Sequence, residues 1–160
     1  MLDADSANID INGTISNVGS VTLIAASADI QAIASTSAQD YSAVINTTLN
    51  NNLTSTAGAI TLAAVTLAND VTIDTAGALL TTNTISGSGT ESIMLDADTA
   101  NIVINGEISN VRNVTLIAAR ADIQSVASTG TQDYSAVINT TLNNNLTSTA
   151  DAITLAAVTF

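Results

Sequence analysis

Apolar and polar residues alternate at every second position in short runs. Val71 and Ile73 alternate with Thr72 and Asp74, Ile60 and Leu62 flank Thr61, and Ile102 and Ile104 flank Val103. A period of two predicts strands with one face turned inward, and the β-branched residues that fill these runs agree. No window of helical length carries an amphipathic period or organised caps. The runs recur in one form: a polar residue or two, a short strand, a small turn containing Ala, and a second strand. "NNLTSTAGAITLAA", "NDVTIDTAGALLTT", "ESIMLDADTANIVI" and "RNVTLIAARADIQS" share it. Their first apolar residues, Leu53, Val71, Ile93 and Val114, stand 18, 22 and 21 apart.

Strand-bearing units of about 20 residues predict a solenoid, a parallel β-helix with coils of about 18–22 residues. Stacked at about 4.8 Å per coil, roughly eight coils make a rod of roughly 40 Å. Inward Ile, Leu and Val form ladders, with Ala at corners and Gly58, Gly77, Gly87 and Gly89 at turns.

A longer repeat overlies this rhythm. Residues 1–67 align without gaps to 94–160, and twelve of the 67 positions differ. Residues 68–93 are the intervening coils. The changes in charge, Asp10/Val103, Thr14/Glu107, Gly19/Arg112, Ser27/Arg120 and Gly58/Asp151, fall at turns or outward positions. Residues 1–160 are therefore expected to form one continuous solenoid, a piece of a longer repetitive protein whose flanking repeats are its first partners. The alternative is two β-sandwich (immunoglobulin-like) repeats of 93 residues. That arrangement calls for a large aromatic core residue and a linker, and it leaves the shorter rhythm unexplained.

"TQDYSAVINTTLNNNLTSTADAITLAAV", followed in copy one by "NDVTIDTAG", resembles the repeats of large secreted bacterial exoproteins. These are the filamentous-haemagglutinin-like adhesins and related autotransporter passengers. The matching positions are Gln39, Tyr41, Leu53–Thr56, Gly58 and Ile60–Leu62, with Gln132, Tyr134, Leu146–Thr149 and Ile153–Leu155 in copy two, which departs at Asp151. The resemblance implies a right-handed β-helix, a Gram-negative secreted or cell-surface setting and a role as stalk or adhesive shaft. A signal peptide is not in this stretch: the N-terminus has no basic region and no apolar core.

Composition narrows the chemistry. Fourteen acidic residues face only Arg112 and Arg120, for a net charge of −12. That disfavours nucleic acid, whose phosphates call for clustered cations, and an anionic membrane surface. The longest apolar runs are too short for membrane insertion. With no Cys and no His, zinc sites, thiol nucleophiles and Ser-His-Asp triads are excluded, and no cofactor is expected. Paired carboxylates are plentiful, but they recur with the coil as surface groups do. Without Trp, Lys or His to hold a sugar, no enzyme is expected.

Three further features carry candidate chemistry. "LDADTANIVINGE" places Asp96, Asp98 and Glu107 at positions 1, 3 and 12 of a calcium loop, yet Ala100 and Asn101 break its middle. Solvated Asp residues at a strand end account for the same letters. Thr54, Thr72 and Thr115 stand where an outward Thr rank would stack, as on an ice-binding face. The segment "QDYSAVINTTLNN" fits the rhythm least well and reads as an extra short coil or a longer loop. If it is a contact loop, Gln39, Tyr41, Asn50 and Asn51, with Gln132, Tyr134, Asn143 and Asn144, are its recognition residues. In that case host or surface glycans are the expected partners. Exposed Tyr rings favour this adhesin module, and packed rings favour a shaft.

Overall fold

The computed structural model describes residues 1–159. All regular structure among them is β: sixteen strands, no helix, joined by parallel pairing into one right-handed β-solenoid of about eight turns. Strict parallel pairing between residues one coil apart removes the sandwich alternative, whose sheets are antiparallel.

Three ladders run the length of the rod, one per face. The first is Val21–Gln39–Ile60–Leu80–Ile102–Ala121–Thr140–Val158. The second is Ile9–Ala28–Thr47–Val65–Ile85–Ile108–Val126–Leu146. The third carries Ile15–Ile33–Leu53–Ile73–Leu95–Leu116 and, beside it, Val71–Ile93–Val114–Gln132–Ile153. Steps in the first ladder span 18 to 22 residues, as the rhythm predicts. Leu53, however, stacks on Ile73 and not on Val71, so the first of the sequence spacings is really 20. Strands such as Val21–Ser35 and Val114–Ser128 turn two corners without breaking, and so contribute to all three faces.

The interior is aliphatic and closed. Leu23, Ile30, Leu53, Ile60, Ile73, Leu80 and Ile85 are all fully buried. Each such side chain contributes about 1.5–3 kcal/mol by leaving water. Because every coil adds the same three inward ranks, stability accrues coil by coil and not through one central core.

The duplication does not close on a whole number of coils. Four steps up the first ladder lead from Val21 to Ile102. The copy of Val21 is Val114, two faces further on, in the third ladder. Ninety-three residues therefore span 4⅔ coils, and copy two is turned by a third of a revolution against copy one. The same holds for Ile9 and Ile102, which lie in the second and first ladders, and for Ile33 and Val126, in the third and second. Identical sequence is thus presented on different faces.

"QDYSAVINTTLNN" is a coil, not a protruding loop. Gln39–Leu49 is one strand, paired below with Val21–Ser35 and above with Ile60–Leu67. Its irregularity is a bulge: Tyr41 and Asn46 face Leu62 and Ala64, so three extra residues swell outward at the corner. Ile45 and its copy Ile138 protrude there, each 75% exposed, while the adjacent Val44 and Val137 stay buried.

One pair of differences between the copies, at Gly130 and Asn113, is explained by contact. Gly58 is pressed against the Ser37–Ala38 backbone, where a Cβ would meet the Ala38 nitrogen at 2.1 Å. In copy two Asp151 stands for Gly58, a change that nothing in the structure explains, and Gly130 stands for Ser37. A Cβ on Gly130 would in turn lie 2.4 Å from Asn113 Oδ1, and Asn113 replaces the smaller Ser20.

Candidate functional site

The expected contact residues separate into two groups, and the first lies inside the rod. Gln39, Tyr41, Gln132 and Tyr134 are all 0–1% exposed. This corrects their assignment to a recognition loop. Gln39 and Tyr41 sit two apart in a strand, so both point the same way, and that way is inward. The polar groups are satisfied within the interior. Gln39 Nε2 donates to Ser35 Oγ (3.0 Å) and to the Thr54 carbonyl (2.6 Å), and Tyr41 Oη donates to Gln39 Oε1 (2.7 Å). Copy two repeats the set with Gln132, Ser128, Thr147 and Tyr134. Burial pushes both phenols well above their ordinary pKa. Among the described residues no other aromatic exists, so none reaches the surface to stack on a sugar.

The second group lies at corners. Asn50 is half-buried, while Asn51, Asn143 and Asn144 are exposed. Asn50 Nδ2 donates to Asp29 Oδ1 and to the Ile30 carbonyl (3.2 Å), one coil below, and Asn143 does the same to Asp122 and Ile123. Asn51 and Asn144 turn back to accept the next backbone N–H. The Asn50 and Asn143 amides fasten successive coils at a corner, whereas Asn51 and Asn144 bond within their own turn.

A polar groove runs up the corner between the second and third faces, lined by Asn50, Asn51, Asn69, Asp70, Thr90 and Glu91. It continues past Ser92 and Asn113. Asn69 Nδ2 donates to the Asn50 carbonyl (3.1 Å), and the Ser92 amide donates to Asp70 Oδ1 (2.7 Å). Arg112 Nε and Asn113 Nδ2 both donate to Ser92 Oγ (3.3 Å each), and Thr131 N–H donates to Asn113 Oδ1 (2.9 Å). Arg112 also lies 3.6 Å from Asp70, with both side chains more than half exposed, so this ion pair adds little. Glu91 accepts from the Ser88 amide and hydroxyl and from Thr90, which holds its carboxyl down at about 2. Sequence reasoning missed this seam, because its members come from successive coils and carry no common motif.

The acidic candidates are only partly assembled. Asp96 and Asp98 come together, but with Asp74 of the coil below, all three offering a carboxylate oxygen within 4.8 Å of one another. Glu107 pairs beside Ser125 on the second face and has no place in that group. The calcium-loop trio is therefore not formed, because a twelve-residue span turns a corner here. Burial, aided by the Asp98 and Asp74 charges, raises the Asp96 carboxyl above its ordinary range against the Asp98 N–H bond that lowers it. The same residues also have a local task. Asp96, Asp74 and Asp3 each accept the N–H two residues on, from Asp98, Ala76 and Asp5, and those three residues have positive φ. This is the Asx turn that sets a corner. The Thr rank fails as well, since Met94 stands between Thr72 and Thr115, and Thr54 stacks on Asp74.

Comparison with protein-family models, with curated proteins and with solved structures found no match to this chain.

Proposed function

We propose that the chain is a structural shaft segment of a large secreted or surface-exposed bacterial adhesin, non-enzymatic, which spaces and presents distal binding regions. The observation that carries this reading is the fate of Tyr41 and Tyr134. The side chains best suited to recognition are packed inside the rod and hydrogen-bonded to Gln39 and Gln132. The polar corner points the same way, because Asn50, Asn69, Asn113 and Asn143 are engaged with neighbouring coils. The mechanism is mechanical: parallel ladders resist extension, aliphatic ranks exclude water, and the charge of −12 keeps rods apart laterally. The resemblance of "QDYSAVINTTLNNNLTSTA" to exoprotein repeats supplies the surface setting.

A binding head fused to the C-terminus, with the N-terminus tethered, tests the reading. A shaft places the head roughly 40 Å from the tether without changing its affinity. The chain alone should show no saturable signal on arrays of host and bacterial glycans. Dose-dependent binding to one glycan class would replace the shaft with the carbohydrate-binding alternative.

A further inference from the structure

Asn12 and Asn105 are the asparagines of this chain that precede a glycine. Every other asparagine is followed by Ile, Val, Leu, Thr, Asn or Asp, whose side chains crowd the next peptide nitrogen. Closure of an asparagine side chain onto that nitrogen is fastest before glycine, where no Cβ stands in the way. The dipeptide is therefore a labile amide, and the fold decides whether it is protected.

The fold requires this glycine. Asn105–Gly106 turns the corner between the first and second faces, with Leu80–Thr82 and Ile85 below and Ile123 and Ser125 above. A Cβ on Gly106 would meet Asn83 Oδ1 and Thr84 Cγ2 at 2.8 Å each. The close stacking of coils thus excludes a side chain here and keeps the labile pair in place.

The fold also leaves the pair unclamped. Above it, the register passes from Ile104 opposite Ile123 to Glu107 opposite Ser125, so Asn105 and Gly106 both face Gln124 in a bulge. Below it, the register passes from Ile104 opposite Thr82 to Ile108 opposite Ile85. Neither residue has a register partner in either coil, so the peptide between them can rotate without breaking a rank. Asn105 is exposed, and its amide takes no part in the bonds that hold Asn50, Asn69, Asn113 and Asn143.

We propose that Asn105 is a site of self-catalysed deamidation in the folded rod. The Gly106 nitrogen attacks Asn105 Cγ, the new N–Cγ bond forms, the Cγ–Nδ2 bond breaks, and ammonia leaves with the peptide proton. Water then opens the succinimide. Attack at Cγ gives aspartate, and attack at the main-chain carbonyl carbon gives isoaspartate, whose backbone is one methylene longer. The added methylene falls in the bulge, where no rank has to shift, so the strands persist. The product carries one negative charge beyond the net −12.

The test uses the whole chain with Asn12→Gln, which confines the readout to copy two. On incubation at mildly alkaline pH, peptide mapping should find the Asn105 peptide one mass unit heavier before any other asparagine changes. The rate should rise with pH, because the attacking nitrogen must lose its proton. Isoaspartyl carboxyl methyltransferase should label this peptide, and an Asn105→Gln chain should take no label. Circular dichroism should show the same strands before and after conversion. An Asn105 that stays intact in the folded chain but converts in urea overturns the proposal. So does earlier conversion of another asparagine, or loss of the strands on conversion.

Discussion

Tyr41 Oη donates to Gln39 Oε1 at 2.7 Å, with both side chains sealed inside the rod. Gln39 in turn reaches Ser35 and Thr54, so one buried amide ties two corners of successive coils. Tyr41→Phe leaves the Gln39 oxygen buried without its donor and should cost about 1–3 kcal/mol. Tyr41→Ala adds a cavity and should cost about 3–5 kcal/mol. Tyr134→Phe removes the same bond in copy two and should cost about the same. Urea melts should show lower midpoints for both Tyr41→Phe and Tyr134→Phe, and unchanged stability in both would contradict this account.

Thr47, Thr82 and Thr140 have hydroxyls that are buried without a hydrogen-bond partner. Thr47 stacks between Ala28 and Val65, and Thr140 between Ala121 and Val158. Valine has the same shape and no orphan group, so each Thr→Val change should stabilise by about 1 kcal/mol. The sites lie on different levels and should add nearly independently. Thermal melts of the single variants and of the triple variant measure both points.

Gly58 and Gly77 are required for different reasons, and alanine distinguishes them. Gly58 lacks room, with Ala38 and Ser37 backbone atoms against it, whereas Gly77 has room but sits at φ +89°. Gly58→Ala should cost about 1–3 kcal/mol through backbone displacement. Gly77→Ala should cost about 1 kcal/mol for the left-handed conformation alone. Equilibrium unfolding of both variants would expose an inverted order, which contradicts this account.

Asp96 ties stability to pH with an unusual sign. Its carboxyl is raised in the folded chain by burial and by the Asp98 and Asp74 charges. The folded state therefore holds this proton to higher pH than the unfolded state, and the group's contribution falls as pH rises through that window. Asp96→Asn keeps the oxygen that accepts the Asp98 amide and removes the charge. At neutral pH it should be slightly more stable than the parent chain, the effect being small because the group is partly exposed. Below the ordinary carboxylate range the two proteins should melt together, and a pH series of melting curves tests this.

The local pattern determined a great deal. Alternation along Val71–Asp74 or Ile60–Leu62 identifies strands and their inward residues, because side chains in a strand must take opposite faces. The spacing of the units identifies coils, because only stacked short strands bury such a small apolar rank. Gln39 and Tyr41 looked like recognition residues because polarity and aromaticity are properties of letters, while their burial depends on partners at Ser35 and Thr54. Asp74 joined Asp96 and Asp98 in place of Glu107 for a similar reason: neighbours in this rod are one coil apart, and a corner separates residues that are close in sequence. The 93-residue duplication was legible at once, but its rotation by a third of a turn was not. That rotation follows from how many corners the chain turns per repeat, which bulges such as Ser42–Ile45 set and only the stacked register decides.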